Sequence, residues 1–267
     1  MRTALLVCAA LVAASLAHAA EPASAKKRPP VRVAKLNVGV NVVAEARWKR
    51  VPVFAKPRAR KSVRSFRNPV VRGVPLVFLV EWKQRRWTWP KWVRVRLPSR
   101  PNGATGWVRS SSVRFLRNPY RIRVNLKRKT LSVWRRKNRI LLAEVGVGRA
   151  VTPTPTGRYF LVQLIKTRKP RGVYGPYAFG TSAYSTRLTR FGRGNGQVGL
   201  HGTNRPRRLG RNVSHGCIRV HNKVIRRLAR YIPLGTPLVI LRTNAKEKPV
   251  KIVKPKAKPK PKKRKRR

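Results

Sequence analysis

From residue 32 to residue 243, apolar residues come in short β-branched or aromatic runs separated by turn signals or charged residues. That punctuation favours strands and tight turns. Within residues 32–118 the runs are Val51–Phe54, Leu76–Trp82, Trp92–Leu97 and Gly106–Val108, with Pro101-Asn102-Gly103 as a turn signal. Within residues 119–243, Ile122–Leu126 and Thr130–Trp134 alternate with period two around Lys127-Arg128-Lys129, which predicts a hairpin. Ile140–Val147 and Tyr159–Ile165 predict further strands, joined through Thr152-Pro153-Thr154-Pro155-Thr156-Gly157, and Pro237–Leu241 predicts a closing strand. The stretch Arg171 to Gly196, rich in Gly, Tyr and Ser, reads as a loop covering a site. Asn222 is expected to cap a short helix with Val224, Leu228 and Tyr231 on one face. The fold class is therefore mostly β, a small β-barrel followed by a β-rich domain with one or two short helices.

Charge decides which chemistries such a fold can carry. Lys and Arg total 67 against five acids, a net charge of +62, and there is no Asp. An EF-hand loop, a paired-aspartate protease and an Asp-built magnesium site are thereby excluded. Most cations lack an internal anionic partner, so solvent or an external polyanion must neutralise them. Residues 246–267 alternate Lys with Pro and end in a basic cluster. They cannot bury a core and are expected to be disordered, serving as an electrostatic anchor.

Residues 1–19 read as an export signal, with Arg2, an apolar run from Ala4 to Leu16, and small residues in Ala17-His18-Ala19. A retained membrane anchor is the alternative. Cys8 lies in the apolar run and would leave with the signal, so the mature chain would carry one cysteine, Cys217. In an exported protein an unpaired cysteine is an intermolecular bridge or a reactive thiol.

Cys217 stands in Ser214-His215-Gly216-Cys217-Ile218-Arg219-Val220, downstream of Gly199-Leu200-His201-Gly202-Thr203. A thiol is a weak nucleophile until a base takes its proton. His201 is a candidate base, and the surrounding arginines are expected to favour the thiolate. No Asp exists to hold the other ring nitrogen, so a backbone carbonyl or a hydroxyl must do so, with Thr203 and Ser214 near in sequence and Glu144 as the one acid of the domain. The amides of Gly216 and Cys217 are candidate oxyanion donors. Arg219 offers a planar fork for a carboxylate. His221 is expected to be an exposed residue at the helix start, without a catalytic role.

His201-Gly202-Thr203 followed by Ser214–Val220 resembles the L,D-transpeptidase (YkuD-like) family, and Thr154–Gly157 and Gly235–Ile240 extend the match. The resemblance implies a cysteine acyltransferase of peptidoglycan stem tetrapeptides. In that reading Cys217 is the nucleophile and His201 the proton donor and acceptor. His215, Gly216 and Ser214 support the site, and Arg219 and Thr203 bind substrate. D-alanine leaves and a 3→3 cross-link forms, with no metal and no cofactor. An L,D-carboxypeptidase, with water as acceptor, and an inactive cationic cell-wall-binding protein are the alternatives. Where relatives commonly carry an acid in the helix after the motif, this chain has Asn222, Lys223 and Val224.

The stretch Trp92–Val108 resembles bacterial SH3-like domains, in which Gly-Trp-Val ends a barrel strand. The expected organisation is a signal peptide at 1–19, a linker at 20–31, an SH3-like domain at 32–118, a catalytic domain at 119–243 and a basic tail at 244–267. The expected location is outside the cytoplasm, in the cell wall, the periplasm or the medium. Anionic wall polymers or lipid headgroups are the expected partners of the basic surface and tail. Nucleic acid is disfavoured, because export separates the chain from the genome.

Overall fold

The structure, a computed structural model, describes residues 39–71, 73–81, 91–190, 192 and 194–244. The expected signal, the linker and the tail beyond Asn244 lie outside the described residues.

The first strands are β1 (Asn41–Ala46), β2 (Arg50–Val53), β3 (Arg64–Arg67), β4 (Val77–Val80), β5 (Trp92–Arg96), β6 (Thr105–Arg109) and β7 (Val113–Asn118). Five of them form an antiparallel sheet in the order β6-β5-β4-β1-β7, and β2 and β3 form a hairpin of their own. Alternation explains β5, where Val93 and Val95 are buried and Arg94 is exposed. Strand β4 does not alternate, because all four of its residues are buried. Phe78 and Val80 enter a core with Val51, Val53, Val93 and Val108. Val77 and Leu79, on the opposite face, pack with Val43 against Phe160 and Val162 of the following strands. A strand covered on both faces has no solvent side to mark with polar residues.

The second set comprises β8 (Tyr120–Asn125), β9 (Thr130–Arg135), β10 (Asn138–Gly148), β11 (Gly157–Lys166), β12 (Tyr177–Tyr184), β13 (Gln197–His201), β14 (Asn212–Ser214), β15 (Ile218–Val220), helix α1 (Asn222–Tyr231) and β16 (Pro237–Leu241). These strands form a nine-stranded sheet ordered β14-β10-β15-β13-β12-β11-β16-β8-β9, and a further pairing of β9 with β10 closes it into a ring. The expected hairpin is β8–β9. Ile122, Val124, Leu131 and Val133 point inward, and Asn125 Oδ1 accepts the amides of Lys127 and Arg128 to shape the turn.

Two local expectations change. Arg171 to Gly196 is not all loop, because β12 runs through it. Its Gly180-Thr181-Ser182-Ala183 segment is buried between β11 and β13, where small residues let the neighbouring strands approach. Helix α1 is capped one residue earlier than expected, by His221, whose Nδ1 accepts the Lys223 amide at 3.1 Å. Ile225 and Leu228 form its buried face with Val224 at the edge, and Tyr231 is exposed because it turns past that face.

Candidate active site

Two neighbouring strands bring the sequence motif together. His201 ends β13, Cys217 directly precedes β15, and parallel pairing sets Leu200 beside Ile218 and His201 beside Arg219. Gly199, two residues before His201, donates its amide to Cys217 Sγ at 3.4 Å. A Cβ placed on Gly199 would sit 3.6 Å from His201 Cδ2 and 3.8 Å from Cys217 Sγ. The imidazole and the sulfur therefore flank one point, which a glycine leaves open.

The turn that presents the sulfur is tied internally. Ser214 Oγ donates to the Cys217 carbonyl at 2.6 Å and accepts the Gly216 amide at 3.1 Å. Gly216 has a φ of 118°, a conformation that side-chain-bearing residues rarely adopt. The expectation that the Gly216 amide serves an oxyanion is corrected, because the Ser214 hydroxyl already engages that hydrogen. The Thr-Pro connector braces the turn from outside. Thr154 Oγ1 donates to the Gly216 carbonyl and accepts the Gly148 amide, each at 2.9 Å.

His201 is buried, and its Nδ1 lies 2.6 Å from the Gly202 carbonyl. A carbonyl only accepts, so Nδ1 carries the hydrogen and Nε2 is left as the basic nitrogen. The orienting group is thus a backbone carbonyl, one of the options that the absence of Asp left open. Glu144 is instead exposed, close to Gly210. Burial pushes the His201 pKa down to about 4, with a smaller opposing effect from the Gly202 carbonyl and a further lowering by Arg219.

Burial also pushes the Cys217 thiol up, and neither the Gly199 amide nor the charge of Arg219 offsets it. This corrects the expectation of an arginine-stabilised thiolate, since desolvation of the sulfur outweighs the nearby cation. Both groups are neutral at neutral pH. The arrangement suits a thiol that loses its proton to Nε2 as it attacks.

The surrounding cleft has a volume of about 220 Å³, and its lining includes Tyr174, Ser185, Leu188, Gln197, His201, His215, Cys217 and Arg219. The Nε of Arg219 is buried without a hydrogen-bond partner among the described residues. His215 is exposed, and its Nε2 accepts from Arg149 Nη2 at 2.5 Å. Thr203 is 2 % exposed, its hydroxyl accepts the Arg205 amide, and its own amide donates to Asn222 Oδ1. It stands behind the His201 strand end rather than open to the cleft.

Sequence reasoning missed Tyr174, whose ring meets the His201 ring edge to face at 4.9 Å. It also missed Arg149 and the bracing role of Thr154. The Gly-Val-Tyr-Gly segment at 172–175 was the available signal for Tyr174, a turn that presents an aromatic. Among the described residues no cluster of three or more His, Cys, Asp or Glu could hold a metal ion.

Residues 119–240 match the family model of the YkuD L,D-transpeptidase catalytic domain. The chain is 35 % identical over 124 residues to the L,D-transpeptidase YkuD of Bacillus subtilis, covering 46 % of this chain and 67 % of that protein. It is 34 % identical over 122 residues to its counterpart in Bacillus licheniformis, covering 46 % and 66 %. Among solved structures, Bd1075 of Bdellovibrio bacteriovorus is similar at 32 % identity and a TM-score of 0.38, with 46 % of this chain and 48 % of that one covered. L,D-transpeptidase 3 of Mycobacterium tuberculosis is similar at 14 % identity and a TM-score of 0.40, with 52 % and 74 % covered. The matched region thus spans about two thirds of the curated relatives and about half of the Bdellovibrio chain.

Proposed function

This chain belongs to the YkuD L,D-transpeptidase family, and on that premise we propose that it is a cysteine-dependent acyltransferase of peptidoglycan stem peptides. The observation that carries the reading is that the Cys217 sulfur and the His201 ring lie beside one point at Gly199, and both line the same cleft.

Cys217 attacks the carbonyl of the third stem residue as its thiol proton passes to His201 Nε2. The tetrahedral oxyanion collapses, the bond to the terminal D-alanine breaks, and His201 returns the proton to the leaving amine. A thioester remains on Cys217. An amine from a neighbouring stem attacks it, loses its proton to His201 and leaves a 3→3 cross-link. The thiol is then regenerated. Arg219 grips a stem-peptide carboxylate, and its unpartnered buried Nε supports that role, because a buried guanidinium nitrogen without a partner is costly. His215, Ser214 and Gly216 shape the turn and the mouth of the cleft. Thr203 is assigned to substrate binding only through the placement of the His201 strand end. The mechanism calls on no metal or cofactor.

Residues 32–118 are assigned as an SH3-like domain, which the short antiparallel strands and the Gly106-Trp107-Val108 strand support. The protein is exported and works at the cell wall. Its basic surface and tail hold it against anionic wall polymers or lipid headgroups, a reading supported by the net charge of +62.

Incubation with tetrapeptide-bearing muropeptides, followed by mass spectrometry of the products, tests the assignment. A cross-linked dimer with loss of D-alanine is expected. A tripeptide product alone would move the assignment to an L,D-carboxypeptidase, and unchanged substrate would overturn it.

A further inference from the structure

The turn Pro98–Gly103, between β5 and β6, reaches across to the ring and holds one wall of the cleft. Arg100 Nη1 donates to the Ser185 carbonyl at 2.8 Å, and Nη2 donates to the carbonyls of Leu188 at 3.0 Å and Asn195 at 3.3 Å. Its guanidinium lies over the Tyr184 ring, 5.0 Å from the centroid. Asn102 pairs with the Tyr184 backbone in both directions. Its Oδ1 accepts the Tyr184 amide at 2.8 Å, and its Nδ2 donates to the Tyr184 carbonyl at 2.7 Å. The Tyr184 hydroxyl closes the contact by donating to the Pro98 carbonyl at 3.0 Å.

These acceptors belong to two arms, residues 185–190 and 194–197, which leave the end of β12 and return to β13. Ser185, Leu188, Gly196 and Gln197 of the arms line the cleft that holds Cys217. Three carbonyls converging on one cation mean that the arms are folded around a guanidinium supplied from outside the catalytic sheet. Gly196 shows how tightly. It has a φ of 75°, and a Cβ there would collide with the Leu188 carbonyl and with Arg100 Nη2. The planar, multi-donor geometry of arginine suits three diverging carbonyls, whereas the compact ammonium of lysine cannot reach all three.

We propose that Arg100 is a positioning residue of the cleft. The N-terminal β unit thereby sets, through two arms it does not itself contribute, the wall against which the stem peptide lies. The proposal rests on the reading of the cleft as the transpeptidase site. Arg100 bonds to backbone carbonyls of both arms and to neither the sulfur nor the imidazole. Its loss should loosen substrate binding and leave the reactivity of the thiol unchanged.

The test uses the full chain with Arg100→Ala, Arg100→Lys and Asn102→Ala. KM and kcat are measured on a disaccharide tetrapeptide, alongside the rate of Cys217 alkylation by iodoacetamide and amide exchange across 185–190 and 194–197. Arg100→Ala should raise KM about tenfold, the scale of losing charge-assisted hydrogen bonds, with kcat and alkylation within about twofold of the parent. Exchange in the arms should quicken, and Arg100→Lys should fall between. Should Arg100→Ala fail to fold, Asn102→Ala decides by the same split. A KM unchanged from the parent overturns the proposal, as does an alkylation rate that falls as far as kcat/KM. If the parent itself leaves the tetrapeptide unchanged, the catalytic reading fails instead. Exchange in the arms then decides alone, with faster exchange in Arg100→Ala supporting the clamp and unchanged exchange overturning it.

Discussion

The amide of Gly199 donates to the sulfur of Cys217 at 3.4 Å, from the strand whose end carries the His201 imidazole. A methyl group at this position would meet His201 Cδ2 at 3.6 Å and Cys217 Sγ at 3.8 Å, ordinary contact distances. Gly199→Ala should therefore fold, with a stability change within about 1 kcal/mol. It should lower kcat by at least about tenfold, because the methyl fills the space the reacting carbonyl needs. Steady-state kinetics beside a chemical melt would check both halves. Unimpaired turnover in a folded variant would remove Gly199 from the account.

Cys217→Ala removes the proposed nucleophile and leaves the turn, whose bonds run through Ser214 Oγ and backbone groups. Turnover should fall by about three orders of magnitude or more. The mass adduct formed with a carbapenem should disappear while the melt stays close to that of the parent. A retained adduct would place the reactive atom elsewhere.

Burial of neutral His201 makes stability depend on pH. Its folded pKa of about 4 lies below the ordinary histidine value of 6.5, so the unfolded chain binds more protons between the two. The contribution is complete above about pH 6.5 and is lost as pH falls toward 4. Its size is on the order of 3 kcal/mol. Few carboxylates exist to add their own acid limb, since the chain has five Glu and no Asp. Denaturant melts at pH 4 and pH 7 should show the loss in the parent and a much flatter response in His201→Asn. Parallel pH responses would refute the assignment of the effect to this ring.

The same burial predicts the reactivity profile. With the thiol held above its ordinary range, alkylation of Cys217 by iodoacetamide should still be rising at pH 9. kcat/KM should hold through mildly acidic pH and fail only as His201 takes up its proton near 4. An alkylation plateau near neutral pH would instead indicate a preformed thiolate.

Thr154→Val keeps the shape of the connector and deletes its hydroxyl. The Gly216 carbonyl and the Gly148 amide would both be left without that partner. A cost of about 2 kcal/mol is expected for such buried groups. A denaturant midpoint that does not move would show that other groups replace the bonds.

Much of this architecture is legible in the residues, because alternation marks strands with one wet face. Ile122 and Val124 against Arg121 and Arg123 are unambiguous, and β8 lies where they place it. Where both faces are covered the signal fades, as in β4 and in β12 with its Gly180-Thr181-Ser182-Ala183 segment. At the site, Cys217 and His201 stand out because a glycine-rich frame around a thiol and an imidazole has few structural explanations. Tyr174, Arg149 and Thr154 do not stand out. Each belongs to a segment distant in sequence; the pairing of β12 with β13 brings Tyr174 to the motif, and that of β10 with β14 brings Arg149 and Thr154. The sign of the thiol's shift could not be read either. Counting arginines measures charge, whereas desolvation depends on packing.

Strand β10 divides its pairing, giving Asn138 to Glu144 to β9 and Val145 to Gly148 to β15 and β14. The seam that shuts the ring and the platform that carries the Cys217 turn are thus one continuous piece of backbone. Prying the seam apart drags the platform with it. Loosening of the seam and loss of the Cys217 turn should therefore coincide on denaturation.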